Sequence, residues 1–279
     1  MKEYLDLVRL VLEKGVRKSS RTGVDTISYF GAHYTVDLAQ GYPLLTTKEV
    51  NWPAMLRELL WYLSGEDHIR NLRQHTKIWD AWADENGNLE TAYGRYWRRF
   101  PSPYQDDAGR WQVREVDQIQ FVIDTLKKEP TSRRLVVTAW EPGNAQPSRL
   151  PPCHYSFVFN AQGDRLNCHL TQRSGDVALG IPFNLACYAT LTQMIAQEVG
   201  MNVGRFSHTI VDAHIYTARA DGSLSEYDHV PGLREQLRRE PRPLPRLVIA
   251  RKPFHELCFE DFRVEGYHPH PKIKFKVAV

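Results

Sequence analysis

Residues 150–176 read LPPCHYSFVFNAQGDRLNCHLTQRSGD, and this stretch predicts two strands joined by a tight turn. Aromatic and other strand-favouring residues fill both halves. Gly163-Asp164 between them suits a two-residue type II′ turn, because glycine takes the first central position. Gln162 then faces Arg165, which fixes the register of the whole hairpin.

The open end of this hairpin brings together side chains that carry chemistry. Continuing the register predicts Cys153 opposite Ser174 and His154 opposite Arg173. Strand alternation would put Arg173 on the other face from Cys153, so one site can use both only if a bulge or strong twist intervenes. A nearby cation lowers the pKa of a thiol, so Arg173 would activate Cys153 as a nucleophile. The alternative is a buried structural cysteine, the usual place of a free thiol.

A zinc site is a second alternative for the same hairpin, because it contains Cys153, His154, Cys168 and His169. Adjacent residues of a strand point to opposite faces, so neither Cys-His pair can chelate an ion as a unit. We therefore predict no metal.

Outward from the hairpin, the composition is that of an ordinary soluble globular protein. The 279 residues are 42% hydrophobic and 25% charged, and the net charge is +3. No apolar run approaches the ~18 residues of a membrane span, and so small a net charge gives little support to nucleic-acid binding. The first residues predict an amphipathic helix instead of a secretory signal, and four cysteines are too few for a disulfide framework. We therefore predict a cytoplasmic protein.

Helices and strands alternate around the hairpin. Helical spacing is found in residues 51–65, 116–130 and 181–200. Further strand-like runs are RRLVVTAW (133–140), TIVDAHIY (209–216), RLVIA (246–250) and KIKFKVAV (272–279). Residues 83–112 are predicted to be mostly loop, with an exposed part at 102–110. No repeat or linker divides the chain, so we predict a single α+β domain over residues 1–279, a large mixed β-sheet covered by helices.

Two further polar groups are candidate binding residues. Alternation in the strand 209–216 places Asp212, His214 and Tyr216 on one face, where they form either a binding surface or a hydrogen-bonded polar cluster. Asn184 lies in an apolar helical stretch, where an amide is costly unless it is paired. It either reads the edge of a pyrimidine or caps a helix.

Arginine-containing motifs indicate a phosphorylated small molecule. They are SSRTG (19–23), TSRRL (131–135) and TQRSGD (171–176). The planar guanidinium fork suits a phosphate dianion, and a neighbouring serine hydroxyl adds a donor. Arg133 and Arg134 have an alternative interpretation, a solvated face with surface ion pairs.

Taken together, these motifs resemble the folate-dependent thymidylate synthases. Ten motifs match in the order of that family and cover essentially the whole chain: RTG, RELLWYLSG, KIWDAWADENG, AYGRYW, SRRLVVTAW, LPPCH, QRSGDVALGIPFNLACYATL, DAHIY, REPRPLP and EDFRVEGYHPHPKIK with the terminal VAV. The resemblance implies an obligate homodimer of α+β subunits with sheets packed face to face. It implies a methyltransferase that acts on dUMP with 5,10-methylenetetrahydrofolate and needs no metal, membrane or DNA.

The resemblance also implies a role for each matching residue. The catalytic set would be Cys153, Glu58, Tyr93, His154 and Asn184. The nucleotide would be bound by Arg21, Arg173, Ser174, Asp176, Asn184, Asp212, His214 and Tyr216, joined by Arg133 and Arg134 of the partner subunit. The folate would contact Lys48, Trp79, Trp82, Asp176, Gly180, Phe183 and Val279.

The implied reaction begins when the Cys153 thiolate adds to C6 of the uracil, so that C5 can attack the one-carbon unit of the folate. Glu58 then serves the loss of the C5 proton through ordered water, and hydride from the folate completes the methyl group. One alternative is a dUMP 5-hydroxymethylase of the same family, in which water replaces the hydride. Trp79 and the terminal valine resemble the synthases more. A second alternative, a nucleotide-binding protein without catalysis, would not need Cys153 or Glu58.

The chain departs from the family pattern at four places along its length. Thr171 stands in place of a tyrosine, Tyr96 in place of a glutamine, and Arg219 falls in a YTAR sequence where the family has YxNH. Ile210-Val211 replace a pair of glycines before Asp212. A β-branched residue takes positive φ only at a cost, so we expect a different backbone at Val211.

Overall fold

The computed structural model describes residues 1–90 and 92–278, and it confirms an α+β architecture with helices packed on a mixed β-sheet. The strands are β1 (Val16–Ser19), β2 (Asp25–Asp37), β3 (Phe100–Gln105), β4 (Trp111–Val116), β5 (Val136–Thr138), β6 (His154–Gln162), β7 (Arg165–Gln172), β8 (Gly175–Asp176), β9 (Asn202–Thr217), β10 (Arg246–Ile249) and β11 (Phe262–Glu265). The α-helices are α1 (Lys2–Lys14), α2 (Trp52–Ser64), α3 (Arg70–Arg73), α4 (Tyr93–Arg98), α5 (Gln118–Lys128), α6 (Pro142–Ala145), α7 (Gly180–Glu198) and α8 (Val230–Leu237).

The main sheet has the strand order β1-β2-β9-β7-β6-β5, and β8 pairs with the carboxyl end of β9. β9 is parallel to β7 and β8, and the other neighbouring pairs are antiparallel. Parallel pairing needs a crossover connection, and α7 provides it between β8 and β9. The ends of β7, β8 and β9 and the start of β6 therefore meet at one edge of the sheet.

The β6–β7 hairpin confirms the predicted turn and most of the predicted register. Gly163 has a φ of 61° and Asp164 is not among the residues with positive φ, as a type II′ turn requires. The predicted register holds for seven pairs, and a β-bulge next to His154 then makes Gln172 its partner. The predicted pairing of His154 with Arg173 is therefore wrong by one residue, because the bulge adds a residue to β6 alone.

Helices cover one face of the sheet. α1 packs on β2 and β9, α7 packs on β7 and β9, and α2 lies on α7. α7 is buried along most of its length, as its apolar sequence predicts. α2 ends at Gly65, which has a φ of 76° and forms the predicted C-cap. No helix in the described part of the chain is both long and apolar enough to cross a membrane.

The region 83–112, predicted to be mostly loop, contains α4 and the hairpin of β3 with β4. α4 packs so closely on α2 that a Cβ at Gly94 would lie only 2.5 Å from the backbone oxygen of Tyr62. So short a helix has too few turns to show a helical period in sequence, and its burial comes from tertiary contacts. Residues 102–110 lie at the end of the β3–β4 hairpin and are mostly exposed, as predicted.

Two other predictions of secondary structure differ from the structure. Residues 272–278 form no strand, and they are held by contacts with side chains such as the hydrogen bond from Nε2 of His229 to the Lys276 carbonyl (2.9 Å). β1 and β2 were not predicted. In β2, buried and exposed residues alternate regularly only after Gly31, whose φ of 75° is unusual for a strand.

Candidate active site

A cavity of about 610 Å³ opens at the edge of the sheet where β6, β7, β8 and β9 end or begin. Most of the predicted site residues line it. These are Arg21, Glu58, Trp79, Trp82, Tyr93, Cys153, His154, Arg173, Ser174, Asp176, Gly180, Phe183, Asn184, Asp212, His214 and Tyr216. The fold thus brings together residues that are up to 195 positions apart in sequence.

The bulge in β6 sets the position of Cys153. Because the register has shifted, the Arg173 amide donates to the Cys153 carbonyl (2.8 Å), and the predicted pairing of Cys153 with Ser174 is wrong. Nη2 of Arg173 lies 3.5 Å from Sγ of Cys153. The condition stated from the sequence, a bulge that lets both side chains serve one site, is therefore met.

Arg173 is itself held in place by the two prolines that precede the cysteine. Its Nε donates to the Pro152 carbonyl (3.0 Å) and its Nη2 to the Pro151 carbonyl (2.6 Å). The LPPC sequence thus supplies two backbone acceptors that aim the guanidinium at the thiol, and the fixed φ of each proline stiffens the segment that carries them.

The pKa of the Cys153 thiol is raised, so the predicted lowering is wrong. Burial is the largest cause, and the charges of Arg173 and Arg21 oppose it without outweighing it. Removing a thiolate from water costs more than one guanidinium at this distance returns. The cysteine is therefore mainly a thiol until something else changes its surroundings.

Glu58 projects from α2 into the same cavity and has an unusual proton affinity. Burial raises its pKa to about 7, and hydrogen bonds from Trp79 and Tyr62 oppose that rise. Nε1 of Trp79 donates to the Glu58 carboxylate at 2.7 Å. A carboxyl group with this pKa can both give and take a proton near neutral pH.

Tyr93 and His154 form a stacked pair behind the cysteine. Their rings are 3.7 Å apart and nearly parallel, and the Tyr93 hydroxyl accepts from the Cys153 amide (2.7 Å). Burial lowers the pKa of His154 to about 3, so its ring is neutral, and Nδ1 lies 2.7 Å from the Tyr188 hydroxyl. The pair fixes the backbone of the cysteine.

Asp212, His214 and Tyr216 lie together on the cavity side of β9, as the alternation predicts. Asp212 accepts from Ser28 (2.7 Å) and from Lys18, and His214 Nδ1 lies 3.5 Å from the Ser174 hydroxyl. Burial acts to raise the pKa of Asp212, but the neighbouring His214 ring and the hydrogen bonds from Lys18 and Ser28 outweigh burial and hold the pKa well below its usual range. The carboxylate is therefore charged.

Asn184 lies inside α7, five residues after the N-cap Leu179, so the helix-cap interpretation is wrong. Its Nδ2 donates to Oε1 of Gln172 (2.9 Å), and Asn184 also lines the cavity. The cost of an amide in an apolar helix is thus met by a partner on β7.

Flat aromatic rings line the other end of the cavity. Trp79 and Trp82 meet edge to face with centroids 5.7 Å apart, and Phe183 lies on the first turn of α7. Asp176 accepts from the amides of Ala178 (2.8 Å) and Leu179 (3.3 Å). Burial acts to raise its pKa, but the neighbouring His229 ring, whose Nδ1 lies 3.8 Å from Oδ1, and the Ala178 amide outweigh burial and lower it.

Three predicted site residues do not line the cavity, and a fourth lies outside the described part of the chain. Arg133 and Arg134 are exposed and lie outside it. Lys48 is buried behind it, donates to the Ala178 carbonyl, and has its pKa lowered to about 8 by burial. Val279 is outside the described residues, although Val277 of the same tail lines the cavity.

Sequence reasoning did not single out Lys18, Gln172 or Tyr62, which also line the cavity. Lys18 precedes the SSRTG motif and belongs to a strand that was not predicted. Gln172 is the first residue of QRSGD, and its 2% exposure marks it as a buried amide in need of partners. The motif itself could have drawn attention to it.

The departures from the family pattern cause little disturbance. Val211 lies in β9 without positive φ, and a positive φ falls instead at Gly31 of β2; that the backbone at Val211 differs from the family's stays a prediction. Thr171 pairs regularly with Ser156. Nε of Arg219 donates to the Gly23 carbonyl (2.6 Å) and so supports the loop that carries Arg21.

Comparison with known proteins agrees with this geometry. The family called thymidylate synthase matches residues 2–279. The chain is 50% identical to a thymidylate synthase of Haloferax volcanii, in an alignment that covers 98% of this chain and 95% of that protein.

Proposed function

The chain belongs to the thymidylate synthase family, and we propose that the cavity described above is where it methylates dUMP. It is a methyltransferase that makes thymidylate from dUMP with 5,10-methylenetetrahydrofolate as co-substrate. The observation that carries the assignment of the site is the thiol of Cys153 beside the guanidinium of Arg173, in a cavity that also contains the carboxyl group of Glu58.

The first step is addition of Cys153 to the pyrimidine. Sγ bonds to C6 of the uracil, and the electron pair of the C5–C6 double bond moves toward O4, which makes C5 nucleophilic. The thiol must lose its proton first, and its raised pKa opposes this. We propose that the substrate displaces water and brings the ring within reach of Sγ, so that the small thiolate fraction is consumed as it forms.

Asn184 would read the edge of the uracil. An amide oxygen can accept from N3–H, and the remaining amide N–H can donate to O4. The donation to O4 stabilises negative charge that develops there during addition. The hydrogen bond from Asn184 to Gln172 supports this assignment, because it leaves the carbonyl oxygen for the ligand.

Glu58 would handle the proton at C5. Loss of this proton is needed before the new C5 substituent becomes a methyl group, and a base with a pKa of about 7 is matched to the task. Expulsion of Sγ from C6 then restores the double bond and the free thiol. Tyr93 and His154, which are stacked on each other beside Cys153, would order the water between Glu58 and the ring.

The remaining polar residues would hold the phosphate and the sugar. Arg21, Arg173 and Ser174 present donors suited to a phosphate dianion. His214 and Tyr216 would bind the deoxyribose hydroxyl, and Asp212 would fix the orientation of His214 through their 3.7 Å contact.

The aromatic end of the cavity fits a reduced folate. Trp79, Trp82 and Phe183 offer flat apolar faces for a pterin ring, and Asp176 offers a charged acceptor at its edge. The bound folate supplies the one-carbon unit and the hydride. Gly180 leaves open space beside Asp176, Lys48 holds the Ala178 carbonyl nearby, and the terminal Val279 would close the pocket.

Product analysis tests the reaction directly. Incubation with dUMP and 5,10-methylenetetrahydrofolate should yield dTMP and dihydrofolate in equal amounts, measured by chromatography and by the absorbance of dihydrofolate. Accumulation of 5-hydroxymethyl-dUMP without dihydrofolate would show that water captures the one-carbon unit and would contradict the synthase assignment.

We also propose that two copies of this chain form a homodimer by packing their sheets face to face. Val136 and Val211 alternate with the buried Val137 and Ile210, so they lie on the sheet face that the helices leave uncovered, and both are exposed. Arg133 and Arg134 precede β5, are exposed and lie outside the chain's own cavity, and they would serve that of a partner. The unit would be one catalytic domain over residues 1–279, and its four free cysteines fit a reducing cytoplasm.

Mixing two inactive variants tests the exchange of arginines. The Arg133→Ala/Arg134→Ala double variant and Cys153→Ser should each be inactive or nearly so as homodimers. After joint refolding, half of the dimers are mixed and each has one complete site, so about one quarter of the wild-type activity should return. If activity does not rise above that of the separate variants, although gel filtration shows mixed dimers, the arginines do not serve the partner.

A further inference from the structure

A buried chain of hydrogen bonds leads from the cavity into the core and ends at Tyr34. Gln172 receives two hydrogen bonds at Oε1, from Nδ2 of Asn184 (2.9 Å) and Nε2 of His208 (2.9 Å). The same amide donates from Nε2 to the Ser174 carbonyl (2.9 Å). On the far side of the imidazole, the Tyr34 hydroxyl lies 2.9 Å from Nδ1. His208 is fully buried and Tyr34 is 7% exposed.

The Ser174 carbonyl determines which atom donates and which accepts in each of these hydrogen bonds. The Ser174 carbonyl can only accept, so Nε2 of Gln172 must face it and Oε1 must face the other two residues. Oε1 can only accept, so His208 carries its proton on Nε2. Burial is the largest cause that lowers the pKa of His208 well below its usual value, so the ring is neutral and its Nδ1 accepts from the Tyr34 hydroxyl.

We propose that His208, oriented by Tyr34, is a positioning residue that fixes the direction of the Asn184 amide through Gln172 and thereby makes the site select uracil over cytosine. Oε1 of Gln172 repels an amide oxygen, so Asn184 must turn its N–H toward Gln172 and its carbonyl oxygen toward the ligand. Uracil presents a donor at N3, whereas neutral cytosine presents an acceptor there. The proposal rests on the proposed reading of the pyrimidine by Asn184.

The test is the ratio of the dissociation constants for dCMP and dUMP, measured by calorimetry without folate. In His208→Phe, Gln172 loses one of the two donors that hold Oε1, so the ratio should fall by roughly three- to tenfold, the worth of one hydrogen bond. The wild type must first convert dUMP to dTMP, and failure there would contradict the proposed function and not this inference.

A second variant separates positioning from stability. His208→Phe leaves the Tyr34 hydroxyl without its partner, and the double variant Tyr34→Phe/His208→Phe removes that orphaned group. The double variant should therefore regain part of the lost thermal stability while its ratio stays low. Thr192→Val is the control. It removes a buried hydroxyl on α7 that donates to the Tyr188 carbonyl and does not line the cavity, so it should lower stability and keep the wild-type ratio. A wild-type ratio in His208→Phe, or recovery of the ratio together with stability, would overturn the proposal.

Discussion

Cys153→Ser is expected to abolish the methylation of dUMP while leaving its binding intact. Loss of the nucleophile should lower kcat by a factor on the order of 10⁴ or more, because a serine hydroxyl ionises far less readily than a thiol. The change is nearly isosteric, and Arg173 keeps its hydrogen bonds to the carbonyls of Pro151 and Pro152. The dissociation constant of dUMP should therefore change little. Initial rates and calorimetry measure the two quantities.

The covalent bond itself can be detected with 5-fluoro-dUMP. Fluorine at C5 cannot leave as a proton does, so wild-type protein incubated with this nucleotide and methylenetetrahydrofolate should retain both on the peptide that contains Cys153, as mass spectrometry would show. Cys153→Ser should give no adduct. Cys258→Ser changes an exposed cysteine and should give both full activity and full adduct. Normal turnover by Cys153→Ser would refute the nucleophile assignment.

How far this site could be predicted from sequence depends on the range of the interactions involved. The Gly163-Asp164 turn fixed seven residue pairs because turn geometry and side-chain alternation are local. The bulge next to His154 could be named as a requirement but not located, since it depends on how β6 fits β5 and β7 together. The same limit applies to β2, whose partner β9 lies about 180 residues away and determines its pairing.

The electrostatics of the site were the least predictable part. A neighbouring arginine was correctly inferred for Cys153, yet the sign of the pKa shift was wrong because burial is a property of the whole fold. The role of Gln172 was missed for a related reason. Its partners Asn184 and His208 come from a helix and a strand that only the tertiary structure brings to it.

Glu58→Gln is expected to lower kcat by roughly 10²- to 10³-fold with a much smaller effect on KM for dUMP, the loss typical of a general base. Glutamine keeps an oxygen that accepts from Nε1 of Trp79, so the local structure should persist. Glu198→Gln is the matched control. Glu198 is a glutamate outside the cavity that pairs with Lys127, and its replacement should leave kcat unchanged. A Glu58→Gln enzyme with wild-type kcat would show that the C5 proton leaves by another route.

The same substitution should make the protein more stable at neutral and alkaline pH, which separates Glu58 from an ordinary structural acid. Its pKa of about 7 in the folded state exceeds the ordinary 4.5, so the folded state binds a proton more tightly than the unfolded state does. The wild-type free energy of unfolding should therefore fall as pH rises from 4.5 to 7, by up to about 3 kcal/mol, and level off above. Glu58→Gln carries no such proton and should lose this slope, which urea unfolding at a series of pH values would measure.

Glu198 has the opposite shift, with its pKa lowered chiefly by the hydrogen bond from Lys127, so Glu198→Gln should bring no gain above pH 7. Equal pH slopes in the wild type and Glu58→Gln would show that burial does not raise the pKa of the Glu58 carboxyl. The pKa would then give no support to Glu58 as the base that takes the C5 proton.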